Sequence, residues 1–210
     1  GYGKDVDWVC YQMDVPEELP RLYQVIYKRL QKKPFTCRNL KSKAELRTYI
    51  IPVLKLLNET YKDLYGFTPL YEEEFQALAE KYIPILMPRF IHIIEDREQQ
   101  LIGFSIVMPD ATEGLQKANG RLFPFGFWHI LKALKTSKTL QFLLVGIKEE
   151  YRKQGLFVLF AAELLREVQA ARMTTVYSHL QLEENRDMNT WLEQLNGKIF
   201  RRYRAFIKKL

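Results

Sequence analysis

Two periods of hydrophobicity alternate along the chain, and the switches between them mark out its elements. Val6, Trp8 and Cys10 alternate with Asp7, Val9 and Tyr11, the period of two that predicts a strand over residues 1–12. Leu19, Leu22, Tyr23, Ile26 and Leu30 then recur at helical spacing over residues 16–30. Residues 34–40 can form a short strand. Ser42 followed by Glu45 is a capping-box pattern that starts a helix. Its apolar stripe, Leu46, Ile50, Val53, Leu54, Leu57, Tyr61 and Leu64, runs as far as Gly66. Pro52 should kink or split it. Thr68 and Pro69 supply a cap and a first-position proline for the next helix, and Glu72, Glu73 and Glu74 favour its dipole. That helix should end between Pro84 and Pro88.

The polar residues 96–100 separate apolar runs at 89–95 and 101–108, which predicts a hairpin. Residues 109–138 form an insert. An apolar strand follows over 139–148, then a helix over 154–172 that buries Leu156, Leu159, Phe160, Leu164 and Val168. A strand over 174–182 comes next, then a short helix over 187–195 stopped by Asn196 and Gly197. The last element is a strand or hairpin over 198–209. Strands interleaved with helices predict an α/β (α+β) fold, a mixed sheet with helices on its faces. Residues 1–33 read as a strand and helix that can be the end of a preceding unit, with the main domain over 34–210.

Composition narrows the classes. The 210 residues are 47% hydrophobic and 27% charged, an ordinary globular balance that can bury a core. The net charge of +7 and pI of about 9.3 attract anions without choosing among nucleic acid, anionic lipid and phosphorylated cofactors. Arg201, Arg202, Arg204, Lys208 and Lys209 alternate with Tyr203, Phe206 and Ile207, which reads as the exposed side of a terminal strand. Without an aromatic RNA-binding signature, nucleic acid is set aside. Two cysteines, Cys10 and Cys37, are too few for a zinc site or disulfide framework, and neither has a base beside it in sequence. A reducing compartment fits. No secretory leader pattern is read at the first residues, and no apolar run approaches the ~20 residues of a bilayer span. The expectation is a cytoplasmic protein, soluble or seated on the inner face of a membrane.

The chemically informative segment runs from Leu144 to Phe157. A buried strand feeds the basic loop Tyr151-Arg152-Lys153-Gln154-Gly155, which opens a long apolar helix. Free N–H groups at a helix start, the positive end of its dipole, and a glycine that admits close approach make an anion site. Arg152 and Lys153 add charge. These features point to a phosphate or pyrophosphate, although a plain turn uses the same residues.

From about residue 34 to 210, the order of motifs resembles the GCN5-related N-acetyltransferase (GNAT) superfamily. The resemblance is carried by the strand Leu101-Ile102-Gly103-Phe104, the loop above, and the pattern Glu184-Asn185-Arg186-Asp187-Met188. The close from Asn196 to Arg204 and the helix pair between Lys43 and Pro84 also fit. It implies a mixed, mostly antiparallel central sheet flanked by helices. It further implies an N-acyltransferase with acetyl-CoA or a longer acyl-CoA as donor, an amine as acceptor and no metal. In the family the loop is Arg/Gln-x-x-Gly-x-Gly/Ala, and its amides hold the pyrophosphate. Arg152 and Gly155 match the first and fourth positions, and Lys153, Gln154 and Leu156 lie in the same loop. Val145 and Ile147 fall on the strand beside the pantetheine arm, and Asn185 falls near the donor. Two positions depart from the pattern. Phe157 stands where a small residue is usual and could crowd the pyrophosphate. Leu192 stands where the family often has the tyrosine that protonates the leaving thiolate. These departures keep a second implication open: a catalytically inactive GNAT-like binding module, or half of a tandem GNAT protein.

Acyl transfer to an amine needs a neutral amine, an oxyanion donor and a route for protons. An amide between Val145 and Ile147 would polarise the thioester carbonyl. On an unbroken strand Tyr177, His179, Gln181 and Glu183 share a face, so His179 and Glu183 are the candidate bases, with His92 behind them. Each has an ordinary alternative as a structural histidine or a solvated carboxylate. In the insert, Phe127, Ile130, Leu131 and Leu134 fall on one helical face, flanked by Trp128 and His129, with Lys132 and Lys135 away from them. Residues 121–135 thus read as an amphipathic element that would touch a membrane surface or line an apolar acceptor pocket. The plainer alternative is a helix packed on the sheet.

Overall fold

The computed structural model describes residues 1–208; Lys209, part of the predicted terminal strand and basic cluster, lies outside the described residues. The first half contains β1 (Gly3–Asp14), α1 (Arg21–Leu30), β2 (Thr36–Asn39), α2 (Lys43–Thr48), α3 (Ile50–Tyr61), α4 (Glu72–Tyr82), β3 (Ile91–Glu95) and β4 (Leu101–Pro109). The second contains α5 (Thr112–Ala118), α6 (Gly126–Thr136), β5 (Thr139–Ile147), α7 (Phe157–Ala170), β6 (Thr175–Tyr177), β7 (Gln181–Leu182), α8 (Arg186–Gln194) and β8 (Lys198–Ile207). The strands form one sheet in the order β2-β3-β4-β5-β6-β1-β7, with β8 also on β1. Pairing is antiparallel except between β5 and β6, which are parallel. The sheet is therefore mixed and mostly antiparallel.

β1 lies inside this sheet, between β6 and β7 on one edge and β8 on the other. Its Val9, Tyr11 and Met13 share a core with Tyr23 of α1, Leu140 of β5 and Phe160 of α7. Residues 1–33 thus pack in the same body as the rest. On the opposite face, α2 and α3 place Leu46, Ile50, Val53 and Leu57 over Ile91, Ile93 and Phe104.

Local chemistry explains most boundaries. The Ser42 hydroxyl accepts the N–H of Glu45 at 3.1 Å and caps α2. The predicted split falls at Tyr49, just before Pro52, which has no N–H for the carbonyl of Thr48. α4 starts later than the Thr68-Pro69 signal predicts. Asn58 holds both the N–H and the carbonyl of Leu70 (3.1 and 2.8 Å), which keeps the segment before Glu72 out of the helix. The predicted strand over 174–182 is two short strands, because the chain leaves β1 between Tyr177 and Gln181. Within the insert, α5 and α6 pack closely: a Cβ on Gly114 of α5 would sit 2.7 Å from the carbonyl oxygen of His129 in α6, so only glycine fits.

Candidate active site

β5 and β6 pair only from Thr139 to Gln141 against Thr175 to Tyr177. Beyond that, β5 continues to Ile147 while the neighbouring chain turns away. Ser178 fixes the turn: its hydroxyl accepts the N–H of Tyr11 and donates to the carbonyl of His179, both at 2.8 Å. The sheet therefore opens into a V between β5 and β7, with the outer edge of β5 unpaired by any strand. A cavity of about 1430 Å³ fills the opening.

At the far end of β5 a 3-10 turn, Glu149–Gln154, leads to Gly155 at φ +81°, a left-handed conformation that glycine adopts without strain. A Cβ there would press on Ile26 at 3.2 Å. Arg152, Lys153 and Gly155 line the cavity. The Leu156 side chain is wholly buried in the core, which leaves only its main chain for the loop, and Gln154 is half-buried away from the cavity lining. The feared crowding by Phe157 takes another form. Its ring packs on Trp191 at 5.4 Å, and Trp191 meets Phe142 at 6.2 Å, so these rings build an apolar wall of the V. Leu192 is buried in the core and brings no acid to the site.

Two side chains occupy the open edge of β5. The Tyr61 hydroxyl donates to the carbonyl of Val145 at 3.0 Å and accepts the N–H of Val145 at 3.2 Å. It stands in for the missing neighbouring strand. Burial raises its pKa, so it stays a phenol. Arg152 donates to the carbonyl of Ile147 at 3.2 Å and to that of Thr60 at 3.0 Å. Tyr61 and Arg152 together fasten the end of α3 to β5. Tyr61 was not singled out by sequence reasoning as a site residue; only its place in the α3 stripe was visible.

On the other wall, His179, Gln181, Glu184, Asn185 and Asp187 line the cavity. Asn185 also caps α8, its Oδ1 accepting the N–H of Met188 at 3.3 Å. His179 is exposed at the cavity wall, yet partial desolvation by its surroundings lowers its pKa, which favours the neutral imidazole. Glu183 is elsewhere. It is partly exposed, hydrogen-bonded by Arg202 and by Lys4 (3.2 Å), and these two cations lower its pKa in that order. A carboxylate held ionised in this way is a weak base, and it does not line the cavity. The common face expected for His179 and Glu183 is lost because the strand breaks between them. His92 is fully buried in the sheet interior, with neither ring nitrogen hydrogen-bonded, and lies off the cavity. Burial raises the pKa of both Cys10 and Cys37, which suits neither for nucleophilic work. No group of three or more potential metal ligands occurs among the described residues.

Ile130, Ala133 and Leu134 of α6 are buried, while Phe123, Phe125 and Trp128 project 84%, 71% and 58% exposed. No helix among the described residues is long and apolar enough to cross a membrane.

A sheet of this order, opened beside a basic turn at a helix start, has the fold of the GCN5-related N-acetyltransferases. One such enzyme, from Sphaerobacter thermophilus, superposes with a TM-score of 0.62 at 11% identity, covering 98% of this chain and 52% of that one. In sequence, the chain is 27% identical over 218 residues to Protein YghO of Escherichia coli (strain K12), matching 100% of this chain and 55% of that protein. It is 25% identical over 216 residues to the bacterial ceramide synthase of Caulobacter vibrioides, with 100% and 56% covered. The chain thus spans about half the length of the curated relatives it matches. No family model matches it.

Proposed function

We propose that this chain is an N-acyltransferase unit that moves an acyl group from acyl-CoA to the amine of a hydrophobic acceptor. The observation that carries the reading is the opened V, with Arg152, Lys153 and Gly155 at its mouth and the backbone of Val145 on its unpaired edge. Donor phosphates sit at the basic turn before α7. The pantetheine arm lies along β5, and the N–H of Val145, released by Tyr61, polarises the thioester carbonyl. His179 takes a proton from the acceptor ammonium. The neutral nitrogen attacks the carbonyl carbon, the C–N bond forms and the C–S bond breaks. The second proton lost by nitrogen ends on the departing CoA sulfur, giving amide and free thiol.

Glu184 and Asp187 on the α8 side of the mouth favour a cationic amine. A ceramide, the product in the name of one relative, is an N-acylated long-chain amino alcohol. An acceptor of that class suits the apolar cavity. It also suits docking of Phe123, Phe125 and Trp128, with Arg121, Lys132 and Lys135 nearby, on an anionic membrane surface. The competing reading, an inactive module or one half of a tandem, draws on buried Leu192 and on the half-length match.

Calorimetric titration with acetyl-CoA and a long-chain acyl-CoA tests the donor site. Micromolar binding that disappears in Gly155→Trp is expected. No binding of either thioester to the unaltered protein overturns the acyltransferase reading and favours the inactive module.

A further inference from the structure

The cavity does not stop at Val145. It continues beneath α3 and α4, across the sheet face made by β3, β4 and β5. Leu46, Ile50, Val53, Leu57 and Tyr61 recur along one side of it, and Ile106 and Leu143 form its floor. Phe75, Leu78, Ala79 and Tyr82 of α4 line its other side. None of these four is fully buried, and α4 has no buried residue at all. An apolar helix face normally covers a packed core, and protein interiors leave few voids larger than a water molecule. The V and this continuation together make about 1430 Å³, more than the roughly 300–1,000 Å³ of pockets built for compact small molecules. An alkyl chain suits the apolar lining of that continuation.

We propose that this channel seats the acyl chain of the donor thioester, and that the donor is a long-chain acyl-CoA. The proposal rests on the acyl-transfer reading above and adds the chain's place and length. With the carbonyl at the N–H of Val145, the first methylenes lie at Tyr61, the entrance of the channel. From Tyr61 to Ile50 the stripe of α3 runs about 16 Å along the helix axis. That is the reach of about 14 carbons at ~1.2 Å per extended backbone bond. Arg152 and Lys153 stand at the other end of the same cavity, so a molecule with an anionic head and an alkyl tail spans it.

The test is calorimetry with CoA, acetyl-CoA, octanoyl-CoA and myristoyl-CoA, below micelle-forming concentrations. Myristoyl-CoA should bind at least ~100-fold more tightly than acetyl-CoA, since each buried methylene adds affinity. Ala79→Trp, which puts an indole into the channel, should lose most of that gain and bind CoA and acetyl-CoA as before. Because a tryptophan there can disturb α4, the near-isosteric Ala79→Cys supplies a second measurement. Its alkylation by a maleimide, read against the background of Cys10 and Cys37, should be blocked by myristoyl-CoA and not by CoA. Equal affinity along the series, or alkylation indifferent to myristoyl-CoA, overturns the proposal and leaves acyl transfer standing. Protection by a long-chain amine and not by myristoyl-CoA assigns the channel to the acceptor and also overturns it. No binding of CoA or any thioester removes the acyl-transfer reading and the proposal with it.

Discussion

Tyr61→Phe isolates the contact that closes the donor edge of β5. In the free protein the hydroxyl makes two hydrogen bonds with Val145, at 3.0 and 3.2 Å. A pantetheine or thioester group that uses the same backbone must first displace both. Beside an open cleft each is worth about 0.5–1 kcal/mol net, the lower part of the usual range, so about 1–2 kcal/mol of free-state stabilisation opposes binding. The phenylalanine keeps the ring and its edge contact with Phe67 at 5.8 Å, and loses only the hydroxyl. The Val145 groups left behind face an open cleft where water can reach them. The free form is destabilised and the bound form is not, so donor affinity should rise by about 5- to 30-fold. The same loss should lower the melting temperature by about 2–8 °C. Titration of the folded variant with one acyl-CoA, beside a thermal melt, reads both. Weaker binding with an intact fold would refute the reasoning and show that the hydroxyl serves the donor. Arg152 is a poorer probe, because it both ties α3 to β5 and stands where the donor's phosphates are expected.

Three further outcomes are expected. His179→Ala should lower kcat/KM by about 10²–10⁴; burial lowers the pKa of His179 from the ordinary 6.5, so the acid limb of the unaltered protein's rate profile should lie below pH 6.5, and a limb above it would remove His179 as the base. His92 resists protonation until about pH 4 in the folded state, against 6.5 when unfolded, because burial disfavours its charge. The unfolded chain therefore binds more protons between those values, and stability should fall by about 3 kcal/mol as pH drops through that window. His92→Phe should flatten the slope in urea melts at pH 7 and 4.5, and an unchanged slope would place the titration elsewhere. Replacing Phe123, Phe125 and Trp128 together by serine should abolish sedimentation with anionic liposomes while leaving acyl-CoA affinity unchanged, and undiminished sedimentation would exclude the membrane face.

The basic turn proposed for the donor was legible because its chemistry is local. A strand, two cations, a glycine and a helix start lie within a dozen residues, and the physics of an exposed helix start does not depend on what packs around it. The α3 stripe was legible as a period, and so was its interruption at Pro52. The sequence did not show that α4 leaves its apolar face over a channel. Periodicity marks which side of a helix avoids water, not whether a neighbour fills the space beneath it. His179 and Glu183 show the same limit in a strand. Alternation places them on one face only if the strand is continuous, and the Ser178 bonds to Tyr11 and His179 break it. Glu183 then turns to Lys4 and Arg202, and Glu184 takes a place in the cavity wall.

By itself the sequence determined most of the elements, their order and a basic glycine turn at the start of α7, since each follows from spacing within one or two turns of chain. The tertiary structure alone decided the rest. It set β1 inside the sheet, opened β5 past Gln141, and brought Tyr61 to Val145 across 84 residues of sequence. Those outcomes depend on which distant surfaces bury one another best and on which backbone groups are left to satisfy. That competition is settled over the whole chain at once, and no local pattern records it.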